Sequence, residues 1–238
     1  DRSPSRGLGD VYKRQELGPF ETWDIVGVEK FMEIVKGHGK TVSPWVQQML
    51  DAGIKSFYKV ENGVKMYYDI AAGAYKVIPG TENLLFIENL RAGNTVWENN
   101  DCHLIDLGDG ILNLEFHTKM NTIGGGVLQG INKGIDLAET EYKGLVISNN
   151  GQNFSAGANV GLIFMMAVEQ EYDELNFAIK QVQDKMMRIR YSSCPVIGAP
   201  HNMALGGGCE MSMHADKVIA HSELYMGLVE FGVGSVSY

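Results

Sequence analysis

Two loops built from small residues, and two glutamates near them, are the parts of this chain best suited to chemistry. Asn153-Phe-Ser-Ala-Gly-Ala-Asn159 follows a short apolar stretch, and Gly206-Gly-Gly-Cys-Glu210 follows another and opens a helix. Small residues let a ligand approach the backbone closely, and a helix start leaves amide groups unpaired at the positive end of its dipole. Amides so placed can bind a developing oxyanion. A lone triple glycine serves equally well as a tight helix–sheet contact, and no Lys-Ser or Lys-Thr pair follows to make it a nucleotide P-loop. Glu210 falls on the first helical turn, and Glu230 lies in Gly227-Leu-Val-Glu-Phe-Gly232. Taken singly, each is a helix-start charge or a solvated side chain. Met211, Met213, Leu228, Val229 and Phe231 around them supply an apolar setting that would favour a protonated carboxyl, as an acid catalyst requires.

The elements that must hold these loops read as an α/β alternation. Residues 103–107 and 111–116 flank Gly108-Asp109-Gly110 as a β-hairpin. A helix over 122–139, a strand at 145–148, a helix over 172–190, a strand at 195–199, a helix over 208–214 and a strand at 217–220 follow. Nearer the N-terminus, Ile25, Val28, Phe31, Met32 and Val35 recur at helical spacing, with a stop at residues 37–39. Ser43-Pro44 caps and starts a second helix that carries Trp45, Val46, Met49 and Leu50 and ends at Gly53. Residues 60–100 are mixed text, read as a structured linker without assigned function.

Composition narrows the class. A formal charge of -9 argues against a general nucleic-acid or anionic-membrane surface. No apolar run reaches the ~18 residues of a membrane-spanning helix, and residues 1–15 lack the apolar core of a secretory signal, so a cytoplasmic protein is expected. Cys102, Cys194 and Cys209 are widely spaced and form neither a disulfide framework nor a zinc pattern. His103, His201, His214 and His221 show no ligand spacing and are read as structural, as is His117. No metal is required, and no GxGxxG follows a strand anywhere.

Both ends stand apart. Residues 1–15 resemble translated adapter sequence, as do residues 235–238, so the biological text is expected to be residues 16–234. Glu16-Leu-Gly-Pro-Phe-Glu-Thr-Trp-Asp24, PWVQQMLDAG and SFYK resemble the helical C-terminal domain of 3-hydroxyacyl-CoA dehydrogenases. That resemblance implies a small α-helical segment at 16–59 that builds structure and does no chemistry. The NAD-binding domain is then expected upstream of it.

SAGAN, then HNMALGGGCEMSMHAD, then a glutamate at the right interval, resembles the enoyl-CoA hydratase/isomerase, or crotonase, family over residues 101–234. The resemblance implies a crotonase-like α/β domain, truncated here, acting on an acyl-CoA substrate without a cofactor in this segment. It matches Ala158 and Gly207 to the backbone NH donors that bind the thioester oxygen. It matches Glu210 and Glu230 to the two hydratase glutamates, the first activating water and the second delivering the α-proton. Ala156, Asn159, Val160 and Gly206 fall among substrate-binding positions, with Asn159 standing where aspartate is common. Phe116-His-Thr-Lys-Met-Asn121 is similar to the region bordering CoA, without its usual proline, and places Lys119 near a phosphate and Asn121 beside it. Lys119 also reads as an exposed turn lysine.

The leading expectation is the hydratase part of a bifunctional β-oxidation protein, a homo-oligomer when intact, that also oxidises the 3-hydroxyacyl product. A double-bond isomerase of the same family and an inactive acyl-CoA-binding fragment are the alternatives.

Overall fold

A computed structural model of the chain describes residues 17–82 and 84–229, which divide into two units meeting between Asn89 and Leu90. Glu230 and the two anomalous ends lie outside the described residues.

In the first unit, helices α1 (Pro19–Val26), α2 (Val28–Gly37) and α3 (Pro44–Asp51) precede three strands, β1 (Tyr58–Glu61), β2 (Val64–Asp69) and β3 (Ala74–Val77). Proline opens α1 and α3, where its missing NH costs no helical hydrogen bond. Ser43 stands at the N-cap of α3 as expected, but its hydroxyl makes no capping bond. The apolar stripes meet: Val28, Met32, Val46, Met49 and Phe57 are buried together, with Trp23 and Trp45 against them. Asp24, from the motif text, accepts hydrogen bonds from the amides of Phe57 (2.7 Å) and Tyr58 (2.8 Å), fixing where β1 begins. The antiparallel sheet β1-β2-β3 occupies text expected to be linker. Its strands are half-exposed or exposed along their length, so they lack the clean alternation that marks a strand in sequence.

Helix α4 (Ile87–Asn94) leads into the second unit. There β4 (Thr95–Glu98), β5 (Cys102–Gly108), β6 (Ile111–Phe116), α5 (Gly125–Thr140), β7 (Gly144–Ser148), α6 (Val160–Val168), α7 (Tyr172–Arg190), β8 (Val196–Gly198), β9 (Met203–Leu205), α8 (Gly207–His214), β10 (Lys217–Val218) and β11 (Tyr225–Gly227) follow. The expected hairpin is β5–β6, and the expected α/β alternation is present. The main sheet runs β10-β8-β7-β6-β5-β4, parallel from β6 to β10 and antiparallel from β4 to β6. A smaller parallel pair, β9–β11, stands apart from it.

The core lies between one face of this sheet and α5. Leu104, Leu112, Leu114, Phe116, Leu145, Ile147 and Val196 point into it, and α5 answers with Val127, Ile131, Ile135 and Ala138 at helical spacing. Each such side chain contributes roughly 1.5–3 kcal/mol of burial. Arg188 of α7 clasps Glu139 of α5 at 2.8 Å and Ser193 N donates to the same carboxylate, holding it down to about 2. On the opposite face, Arg91 of α4 donates to buried Glu115 at 2.7 Å. The three cysteines are buried and form no disulfide among the described residues, and burial pushes the Cys102 thiol up to about 12, so it stays neutral. Helix α6 carries Val-Gly-Leu-Ile-Phe-Met-Met-Ala-Val and buries none of them. An apolar stretch without helical period gave no sign of it in the sequence.

Candidate active site

The two small-residue loops, separated by some fifty positions in sequence, are joined edge to edge. Ser155 pairs with Ala204 of β9 in a parallel bridge, its amide donating to Met203 O (3.0 Å) and its carbonyl accepting from Leu205 N (2.9 Å). Strand β9 in turn pairs with β11, and Gly206 N donates to Gly227 O at 3.0 Å. Strand β11, ending at Gly227, is thereby hydrogen-bonded to the second loop.

Two glycines make this junction possible. Gly157 has φ +84, and a β-carbon there would lie 2.8 Å from Leu205 O and 3.2 Å from Gly207 N, so only glycine fits. Gly206, at φ 49 and ψ -120, turns the chain from β9 straight into α8 and leaves Gly207 at the head of the helix. Gly207 is buried, and a β-carbon on it would lie 3.8 Å from Ala158 N, 3.8 Å from Glu210 Oε2 and 3.5 Å from Ile123 Cδ1. The Ala158 amide, the helix-leading glycine and the Glu210 carboxylate thus surround one small volume. Among the described residues neither the Ala158 nor the Gly207 amide donates to a backbone or side-chain acceptor. Two free NH groups beside a carboxylate can hold an anionic oxygen while the carboxylate moves a proton.

The remaining expected site residues divide. Asn159 caps α6, its Oδ1 accepting from Leu162 N at 3.2 Å, and Val160 begins that helix exposed to solvent. Ala156 N donates to Met120 O at 3.2 Å. Lys119 is exposed and makes no ion pair among the described residues. Asn121 is 6% exposed and serves as a bracket: its Nδ2 donates to Asn149 Oδ1 (2.8 Å) and Asn153 O (2.9 Å). Its φ of 52 follows a Met120 φ of 56, two successive left-handed residues that the surrounding bonds hold in place. Of the apolar residues expected around the glutamates, Met211 is buried, Met213 and Leu228 are exposed, and Phe231 lies outside the described residues. Ile123, absent from the motif text, supplies the apolar wall beside Gly207 instead, and its amide donates to Gly157 O at 2.9 Å. His214 Nδ1 contacts Glu210 O at 2.7 Å, and His201 Nε2 contacts Gly151 O at 2.7 Å, both structural.

A sheet with helices packed on it, and two motif loops meeting at a helix start beside a carboxylate, define the crotonase-like class of α/β protein. A family model described as enoyl-CoA hydratase/isomerase matches residues 107–238, more than half of the sequence, and the chain belongs to that family. The chain is 42% identical over 222 residues to the "Probable 3-hydroxyacyl-CoA dehydrogenase" of Bacillus subtilis, covering 93% of this chain and 28% of that protein. It is 33% identical over 118 residues to the peroxisomal bifunctional enzyme of Cavia porcellus, covering 48% of this chain and 15% of that one. The chain therefore spans less than a third of the length of these curated relatives. An enoyl-CoA hydratase from a Polaromonas species matches 56% of this chain and 53% of its own at a TM-score of 0.53 and 22% identity. An enoyl-CoA hydratase from Shewanella pealeana matches 57% and 52% at 0.52 and 19% identity. Both show the shared fold. Among the described residues no helix is long and apolar enough to cross a membrane.

Proposed function

We propose that this chain carries the hydratase site of a longer β-oxidation protein and adds water to a 2-enoyl-CoA, giving the 3-hydroxyacyl-CoA. The observation that carries the reading is the convergence of Ala158 N, Gly207 and Glu210 on one volume. As water attacks the β-carbon, electron density moves to the thioester oxygen, and the two amides stabilise that charge; each donor is worth about 3 kcal/mol. Glu210 takes a proton from the attacking water, and Glu230, by its place in the family motif, delivers one to the α-carbon. Acid–base work of this kind contributes about 10²- to 10⁴-fold. Lys119 and the turn that follows it border the CoA, with Lys119 meeting a phosphate. The exposed apolar surface of α6, which begins at Val160, lies along the chain from Ala158 and offers the acyl group a place to rest. Oxidation of the product with NAD is assigned to the dehydrogenase part of the longer protein, on the strength of the relative's name.

Supplying 2-enoyl-CoA and 3-enoyl-CoA in parallel tests this. Loss of the 2-enoyl absorbance with formation of the 3-hydroxyacyl product supports the hydratase. Conversion of 3-enoyl to 2-enoyl without hydration would give the site to an isomerase.

A further inference from the structure

We propose that Ser155 is a positioning residue that aims both amide donors at the thioester oxygen, an inference that rests on the reading of Ala158 and Gly207 as those donors. Ser155 is fully buried, and its hydroxyl uses both of its capacities within the site. It donates to Asn121 O at 2.7 Å and accepts from Gly157 N at 3.0 Å. The second bond fixes the Ala156–Gly157 peptide, the one that precedes the peptide carrying the Ala158 amide. The first ties that peptide to the left-handed Met120-Asn121 turn, so the loop expected to border CoA and the loop that binds the carbonyl move together.

The same side chain sets the other donor. A β-carbon on Gly208 would lie 2.6 Å from Ser155 Cβ and 3.0 Å from Ser155 Oγ, so the first turn of α8 rests directly on this serine. Its backbone, meanwhile, is laddered to Met203 and Leu205, the strand that leads into Gly206 and Gly207. One residue thus touches the turn before Ala158, the helix start behind Gly207 and the strand between them. Oxyanion donors act in proportion to how well they are aimed before the charge develops, so a loosened Ser155 lowers turnover more than substrate affinity.

The test compares Ser155→Ala and Ser155→Cys with Ile135→Val, a core substitution in α5 away from both loops. Two readouts are taken on folded protein of each. The first is the infrared carbonyl stretch of a bound saturated acyl-CoA labelled with ¹³C at the thioester carbon. The second is kcat and KM on 2-enoyl-CoA. Ala and Cys are expected to shrink the downward shift of the carbonyl stretch and to lower kcat about 10- to 100-fold. KM should stay within about twofold, because affinity is spread over the rest of the ligand. Ile135→Val should leave the stretch and kcat alone while lowering thermal stability. A full-sized carbonyl shift and unchanged kcat in Ser155→Ala overturn the proposal, as does failure of both serine variants to fold, which would make the residue purely structural. If the unsubstituted chain binds the thioester without shifting its carbonyl stretch, the oxyanion reading of Ala158 and Gly207 falls, and this inference with it.

Discussion

Replacing Gly157 with alanine strikes the point where the two loops touch, and the structure allows its cost to be separated into parts. The backbone there has φ +84, a conformation that costs an L side chain about 1–2 kcal/mol. The new methyl would also sit 2.8 Å from Leu205 O and 3.2 Å from Gly207 N. Both are backbone atoms, one on strand β9 and one at the head of α8, so relief requires the loops to part by several tenths of an ångström. Overpacking of this kind costs roughly 1–3 kcal/mol, for a total of about 2–5 kcal/mol. Gly108→Ala isolates the first part, because Gly108 has φ +88 with nothing within 4 Å of a β-carbon. Denaturant unfolding of the two variants should therefore show Gly157→Ala the less stable by about 1–3 kcal/mol. The displacement also moves the Ala158 and Gly207 amides apart, and misplacement on the order of 1 Å costs about 100-fold in rate. Hydration of 2-enoyl-CoA, followed by loss of its absorbance, should fall about 10- to 100-fold in Gly157→Ala and stay unchanged in Gly108→Ala. Equal stabilities and equal rates in the two variants would refute the claim that the loop contact aims the donors.

Three further outcomes are expected. Glu210→Gln keeps the shape of the site and removes its base, so kcat should fall by about 10²- to 10⁴-fold with an unchanged melting curve; retention of activity would remove Glu210 from the mechanism. Asn121→Ala strips a buried bracket from Asn149 and Asn153 and should cost about 1–3 kcal/mol in denaturant unfolding; a neutral result would mean the turn is held by its backbone bonds alone. His103 is held below the usual imidazole value, first by burial and then by stacked His117, whose ring lies 4.4 Å away, and by Arg91, with Glu115 and Glu98 opposing. The unfolded chain then binds the proton more tightly, so stability is full above about pH 6.5 and falls as pH drops below it towards the folded value. His103→Gln should flatten that slope, measured by unfolding across pH 5 to 7; an unchanged slope would place the effect elsewhere.

Much of the fold was legible because it rests on local rules. Helix-spaced apolar residues gave α5 and α7, the Gly108-Asp109-Gly110 turn gave the β5–β6 hairpin, and proline marked the start of α3, whereas the single helix expected over Ile25 to Val35 is broken at Gly27 into α1 and α2. The strands of β1-β2-β3 were not legible, since a sheet half-open on its faces need not alternate. Nor was α6, whose unbroken apolar run has no period to read. Within the site, the sequence singled out both loops and Glu210 because small residues and a helix-start carboxylate are written in consecutive positions.

The sequence by itself determined which groups are available: two backbone turns of small residues and a carboxylate on a first helical turn. Only the tertiary structure decided how they meet. The Ser155–Ala204 bridge, the fit of Gly157 under Leu205 and Gly207, and the bonds from Asn121 to Asn149 and Asn153 all depend on pairings across dozens of residues. Such contacts follow from strand register and close packing, which the whole core sets at once and no local window of sequence contains.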